Sequence, residues 1–186
     1  SDIGLVEAGV GLIPAAGGCK EMATRALTSA NPKEQLTKNF QTIAMGKLAT
    51  SAQMALELGF LLPNDSIIAN PNHILHVAKS QAKALSEANY RAPNPSLINA
   101  PGNQGIADLS LAIANMRAGN FASEHDCLIA TKLAHVMCGG AITAGTKISA
   151  DYLLKLEQEK FLELLSTWKT KKRIAHILKT GKRLSN

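Results

Sequence analysis

Glycine and proline punctuate this chain so regularly that they set the length of nearly every element it can form. Asn31-Pro32 and Asn70-Pro71 each pair a capping side chain with a proline whose missing N–H is no loss in a first helical turn. Gly46, Gly59, Gly119, Gly139-Gly140 and Gly181 stand where a helix needs a stop. Between these marks apolar residues recur at helical spacing. The spacing predicts helices over about 17–28, 32–46, 52–58 (capped by Thr50 or Ser51), 71–89, 105–118, 123–138, 149–166 (capped by Ser149) and 168–180. In the 71–89 helix Ile74, Leu75, Ala78, Ala82 and Leu85 share one side. Residues 3–18 are too broken by glycine and Pro14 for a helix and read as short extended pieces with tight turns. Residues 60–68 read as a turn with a short strand. Three prolines and two glycines between Tyr90 and Gly105 make a surface connection, dividing the chain into segments 1–92 and 93–186.

Composition narrows the class. With 46% hydrophobic and 18% charged residues but only 4% aromatics, the core is built from small and unbranched aliphatic side chains, and helix outweighs strand. The net charge of +6 comes largely from Lys169, Lys171, Lys172, Arg173, Lys179, Lys182 and Arg183. Only Trp168 interleaves them as a stacking group, so a solvated helix face is favoured over nucleic-acid binding. Three cysteines in no Cys-x-x-Cys spacing suit reduced thiols in a cytoplasmic setting. No apolar run approaches the roughly 20 residues of a membrane span. The opening Ser1-Asp2-Ile3 lacks an initiator Met and suggests a piece of something longer, a processed N-terminus being the alternative.

Glu7 is the acid of greatest chemical interest. Glycines and apolar residues surround it, so its carboxylate is either partly desolvated, with a pKa moved toward an acid or base range, or a solvent-facing group at the end of an edge strand. Gly17-Gly18 opens a helix and can present N–H groups to an anion. Gly9-Val10-Gly11-Leu12-Ile13-Pro14 lacks the third glycine of a dinucleotide fingerprint. His73 and His76 stand three apart with no third ligand at matching spacing, so no metal site is expected. His125 and Asp126 follow Ser123 at a helix start, where capping outweighs a catalytic dyad. Cys19 at a helix N-terminus is either a lowered-pKa thiol or, more simply, a small packed side chain.

Leu5-Val6-Glu7-Ala8-Gly9-Val10-Gly11-Leu12-Ile13-Pro14-Ala15-Ala16-Gly17-Gly18 resembles the crotonase (enoyl-CoA hydratase) signature, Pro-Glu-x-x-x-Gly-x-x-Pro-Gly-x-Gly-Gly. The stretch from Ala44-Met45-Gly46 through Gly59-Phe60-Leu61 is similar to the helix, turn and strand that follow it in that family. Glu157 to Leu162 and Arg173 to Asn186 resemble the closing segment of bacterial bifunctional proteins in which a 3-hydroxyacyl-CoA dehydrogenase portion precedes a hydratase-like one.

The resemblance implies a mostly α remnant: the C-terminal part of the crotonase (ClpP-like) α/β spiral, with one or two short strands and about eight helices. It implies a fatty-acid β-oxidation parent using acyl-CoA thioesters and NAD, with no cofactor held inside this chain. By the same resemblance Glu7 handles the Cα proton, and the backbone N–H of Ala15 meets the catalytic water. Phe161 and Lys169 are the loosely matching coenzyme A contacts. Val6 replaces the motif's first proline, and Ala15 a usual glycine. The family's second glutamate and oxyanion-hole glycine precede the motif, so the chain alone is expected to be inactive. Apolar surface at Leu5, Val10, Leu12 and Ile13 is expected to be bare and to drive homo-oligomerisation. The alternative is a non-catalytic assembly or acyl-CoA-binding module of the same parent.

Overall fold

Local capping chemistry sets the helix ends. The computed structural model describes residues 2–186. Among them are eight α-helices: α1 (Gly18–Leu27), α2 (Pro32–Ala44), α3 (Ala52–Glu57), α4 (Ile74–Glu87), α5 (Gly102–Ala118), α6 (Glu124–Met137), α7 (Ala150–Ser166) and α8 (Trp168–Thr180). The Ser51, Ser123, Ser149 and Thr167 hydroxyls each accept a backbone N–H in the first turn of α3, α6, α7 and α8. Ser123 and Asp126 complete a reciprocal capping box, the role their spacing indicates. Gly181 closes α8 at φ +67°. None of the described helices is long and apolar enough to cross a membrane.

Strand content is small but differently placed from the sequence expectation. Four two-residue strands, β1 (Ile3–Gly4), β2 (Leu48–Ala49), β3 (Ile98–Asn99) and β4 (Lys147–Ile148), form two antiparallel ribbons, where one or two short strands were expected. Ile3 lies opposite Ala49, and Ile98 opposite Ile148. Residues 60–68 hold no strand; Phe60 and Leu61 give their N–H groups back to the Ala55 carbonyl at the end of α3. The 90–105 connection is shortened by β3, which pairs with β4, and by the start of α5 at Gly102.

The core forms around α1, whose buried face is Cys19, Met22, Ala23 and Ala26. These small side chains let α2, α6 and α7 approach it together, bringing in Phe40 and Ile43, Leu133 and Met137, and Leu153 and Leu164. One hydrophobic cluster therefore draws on residues from both sides of 92/93.

One expectation about surfaces is corrected. Leu12 and Ile13 are buried, and Leu5 and Val10 pack partly buried against the core. Helix α8 and the tail fold back over this segment and cover what was expected to lie bare: Gly11, at φ +93°, brings its carbonyl to 2.6 Å from the Thr170 hydroxyl. Conversely, the apolar side of α4 is exposed, Leu75 by 80% and Ile74 by 52%. The helix exists where the periodicity puts it, but its stripe belongs to no core of this chain.

Candidate functional site

The N-terminal turn, the start of α1 and the middle of α7 meet at a group of acids. Glu7 opens a single 3-10 turn, Glu7–Val10, closed by Gly11 in the left-handed region. It is half-buried and lies in this turn, not at the end of an edge strand, which accords with a partly desolvated side chain. Its Oε2 is buried and has no hydrogen-bond partner among the described residues. A buried oxygen left unpaired costs on the order of 1–3 kcal/mol, so its position calls for a physical reason.

Glu157 on α7 is buried to 0% exposure. The Gly17 N–H donates to its Oε1 at 2.6 Å and the Lys20 N–H to its Oε2 at 2.8 Å. The anion that the Gly17-Gly18 helix start meets is thus the chain's own carboxylate, set on the positive end of α1. Burial raises the Glu157 pKa, and the helix N–H groups work against that rise.

Cys19 fills the space beside them, its thiol donating to the Pro14 carbonyl at 3.4 Å. Burial, then the charges of Glu157 and Glu7, push this thiol well above its ordinary value. Full burial against the core supports the packed reading of Cys19, and the direction of its shift is opposite to that of a lowered-pKa thiol.

A second polar seam locks the turn that carries Glu7. Because the Thr170 hydroxyl donates to the Gly11 carbonyl, it accepts from His125 Nε2 at 2.9 Å, which fixes the proton on Nε2. Burial, then Arg173 and Lys169, lower the His125 pKa. Arg173 is 2% exposed, which corrects its place in the solvated basic face. Its guanidinium donates to Asp126 Oδ1 at 2.8 Å and to Asn186 Oδ1 at 2.8 Å, and reaches the Ala8 carbonyl at 3.5 Å. Burial pushes the Asp126 carboxyl up, but Arg173 and Ser123 hold it below its usual range.

Of the residues singled out by sequence, Glu7 and Ala15 lie in the same segment. Ala15 is half-buried between Pro14, which holds Cys19, and Gly17, which is held by Glu157. Phe161 packs partly buried against the core. Lys169 Nζ lies 3.2 Å from Glu124 Oε2, and its carbonyl accepts from Asn186. Among the described residues no three potential metal ligands converge. Sequence reasoning missed Glu157 as a buried group. The available signal was its position on the apolar side of α7, four residues after Leu153 and seven before Leu164, both fully buried.

No protein-family model and no solved structure matches the chain. Over 185 residues it is 42% identical to a Bacillus subtilis (strain 168) protein described as "Probable 3-hydroxyacyl-CoA dehydrogenase". That alignment takes in 99% of this chain and 23% of the relative, so the chain spans under a quarter of the length of the protein it is similar to.

Proposed function

We propose that this chain is a segment of a fatty-acid β-oxidation protein with 3-hydroxyacyl-CoA dehydrogenase activity, and that it forms the C-terminal part of a crotonase-type hydratase module in that protein. The observation that carries the reading is the 42% identity sustained over 185 residues to the probable dehydrogenase. The unpaired, buried Glu7 oxygen supports the hydratase component, since it is a carboxylate without an internal task. Acyl-CoA is the substrate in this reading and cytoplasm the setting. NAD is the dehydrogenase cofactor in this reading, and the Gly9 to Pro14 run does not carry a dinucleotide fingerprint for it.

In the module Glu7 exchanges a proton with the substrate Cα, while the Ala15 N–H orients water. Phe161 and Lys169 contact coenzyme A, Lys169 leaving Glu124 to do so. Assays of the complete protein test this. Glu7→Gln should lower crotonyl-CoA hydration by two or more orders of magnitude, on the scale of a lost general acid or base. NAD-dependent oxidation of 3-hydroxyacyl-CoA should be unchanged. Unchanged hydration with Glu7→Gln, or no hydration by the complete wild-type protein, removes the hydratase component.

The exposed stripe on α4 favours a second reading, an assembly element of the same parent. Under that reading Glu7→Gln leaves both activities intact while Leu75→Glu changes the sedimentation coefficient.

A further inference from the structure

One apolar concavity belongs to neither seam. It lies at the far end of α1 from the acids, one ten-residue helix away, or roughly 15 Å at 1.5 Å per residue. Leu27, Leu36, Ala100, Pro101 and Leu109 supply apolar walls, and the turn at Ala144 and Gly145 forms one side. The space measures about 390 Å³. A dry cavity of about 150 Å³ takes up benzene, so this one has room for a chain or ring system more than twice that size, within the usual range of small-molecule sites.

Its polar groups gather at the rim. Lys33 Nζ lies 2.7 Å from Asp108 Oδ2, and Gln104 Nε2 donates to Asp108 Oδ1 at 3.2 Å. The Lys33 ammonium and the Gln104 amide hold the Asp108 carboxyl below its ordinary value, so the pair is ionised at neutral pH. A paired cation and anion give a rim with donors and acceptors but no net charge. A charged head group would meet repulsion from one member or have to break the pair, whereas a hydroxyl can satisfy both.

We infer that this cavity is a binding site for a neutral aliphatic molecule bearing one hydroxyl group, its chain against Leu27, Leu36 and Leu109 and its hydroxyl at the Lys33–Asp108 pair. The site is separate from Glu7 and does not depend on the function proposed above.

The test titrates the 186-residue chain with primary alcohols from butan-1-ol to decan-1-ol, reading the methyl resonances of Leu27, Leu36 and Leu109. Affinity should tighten by about fourfold for each added methylene, the factor for burying one CH₂, and then level off once the chain outgrows the cavity. Octanoate and octylammonium should each bind at least tenfold more weakly than octan-1-ol. Thr37→Trp and Ala144→Trp fill the space from its rim and should abolish the shifts while melting within a few degrees of the parent chain. The proposal is overturned if no alcohol gives a saturable shift. It is equally overturned if both well-folded tryptophan variants keep the shift, or if octanoate or octylammonium binds as tightly as octan-1-ol.

Discussion

Replacing Glu157 tests whether a buried acid holds the start of α1 in place. The carboxylate accepts two backbone N–H groups, from Gly17 and Lys20, that no helical carbonyl can reach. Hydrogen bonds to a charged group contribute about 1.5–3 kcal/mol each, and an unsatisfied buried donor costs about 1–3 kcal/mol. Against this stands the cost of burying the charge, which is why the net effect is smaller than the sum of the bonds. Glu157→Gln keeps one acceptor oxygen but turns an NH₂ toward the other donor, so it should destabilise by about 2 kcal/mol. Glu157→Ala strands both donors and leaves a void, for about 4 kcal/mol. In a chain of this length each kcal/mol lowers Tm by roughly 2–4 °C, so thermal melts followed by circular dichroism separate the two variants from the parent.

The pH dependence gives an independent check. A carboxyl raised in the folded state contributes stability that is fully present below its unfolded pKa of 4.5 and is lost as pH rises through the folded value. The stability gap between the parent and Glu157→Gln should therefore narrow as pH rises above 4.5. A Glu157→Gln variant within 0.5 kcal/mol of the parent by urea denaturation, roughly the size of an ordinary surface substitution, would refute the clamp.

Two further outcomes follow from the seam around α8. Arg173→Met should cost about 1–3 kcal/mol, because it removes a charged hydrogen bond to Asp126, whose carboxylate stays partly solvated, and Arg173→Lys should restore only part of this, since one ammonium cannot reproduce the planar fork that reaches Asp126 and Asn186; urea midpoints measure both. The His125 and His135 pKa values are lowered chiefly by burial, so their contribution is present above the unfolded value of 6.5 and is lost as pH falls. The urea midpoint should fall between pH 7 and pH 5, and a His125→Gln/His135→Gln double variant should flatten that slope.

Features fixed by neighbours a few residues away were legible in the chain itself. Ser123 and Asp126 form their capping box because the partners are three residues apart, and Gly59 and Gly181 stop helices through their own φ angles of +81° and +67°. β1 falls in the 3–18 stretch read as short extended pieces, while β2, β3 and β4 left no trace, since alternation cannot show in so short a run. Arg173 sits in a run of lysines whose composition says solvent, while its burial is dictated by Asp126, 47 residues earlier. On α4, periodicity identified the apolar side through Ile74, Ala78, Ala82 and Leu85 but carried no information about what would cover it.

The two stretches on which the crotonase resemblance rests, at the beginning and the end of the chain, are in direct contact. Thr170 holds the Gly11 carbonyl, Arg173 reaches that of Ala8, and the Arg183 side chain lies so close over Gly9 that a Cβ there would meet its Nε at 2.8 Å. Glu157 holds the other side of the segment through Gly17 and Lys20. The position of Glu7 is therefore set by partners well over a hundred residues away, and helices α7 and α8 act as the support of the turn that presents it. Within that support Glu157, Thr170, Arg173 and His125 all have hydrogen-bond partners. Glu7 Oε2 does not, and because the surrounding scaffold is tied down from both sides, the turn cannot shift to give it one without breaking bonds already made. That contrast, more than the motif alone, is the physical reason to place the proposed chemistry at Glu7.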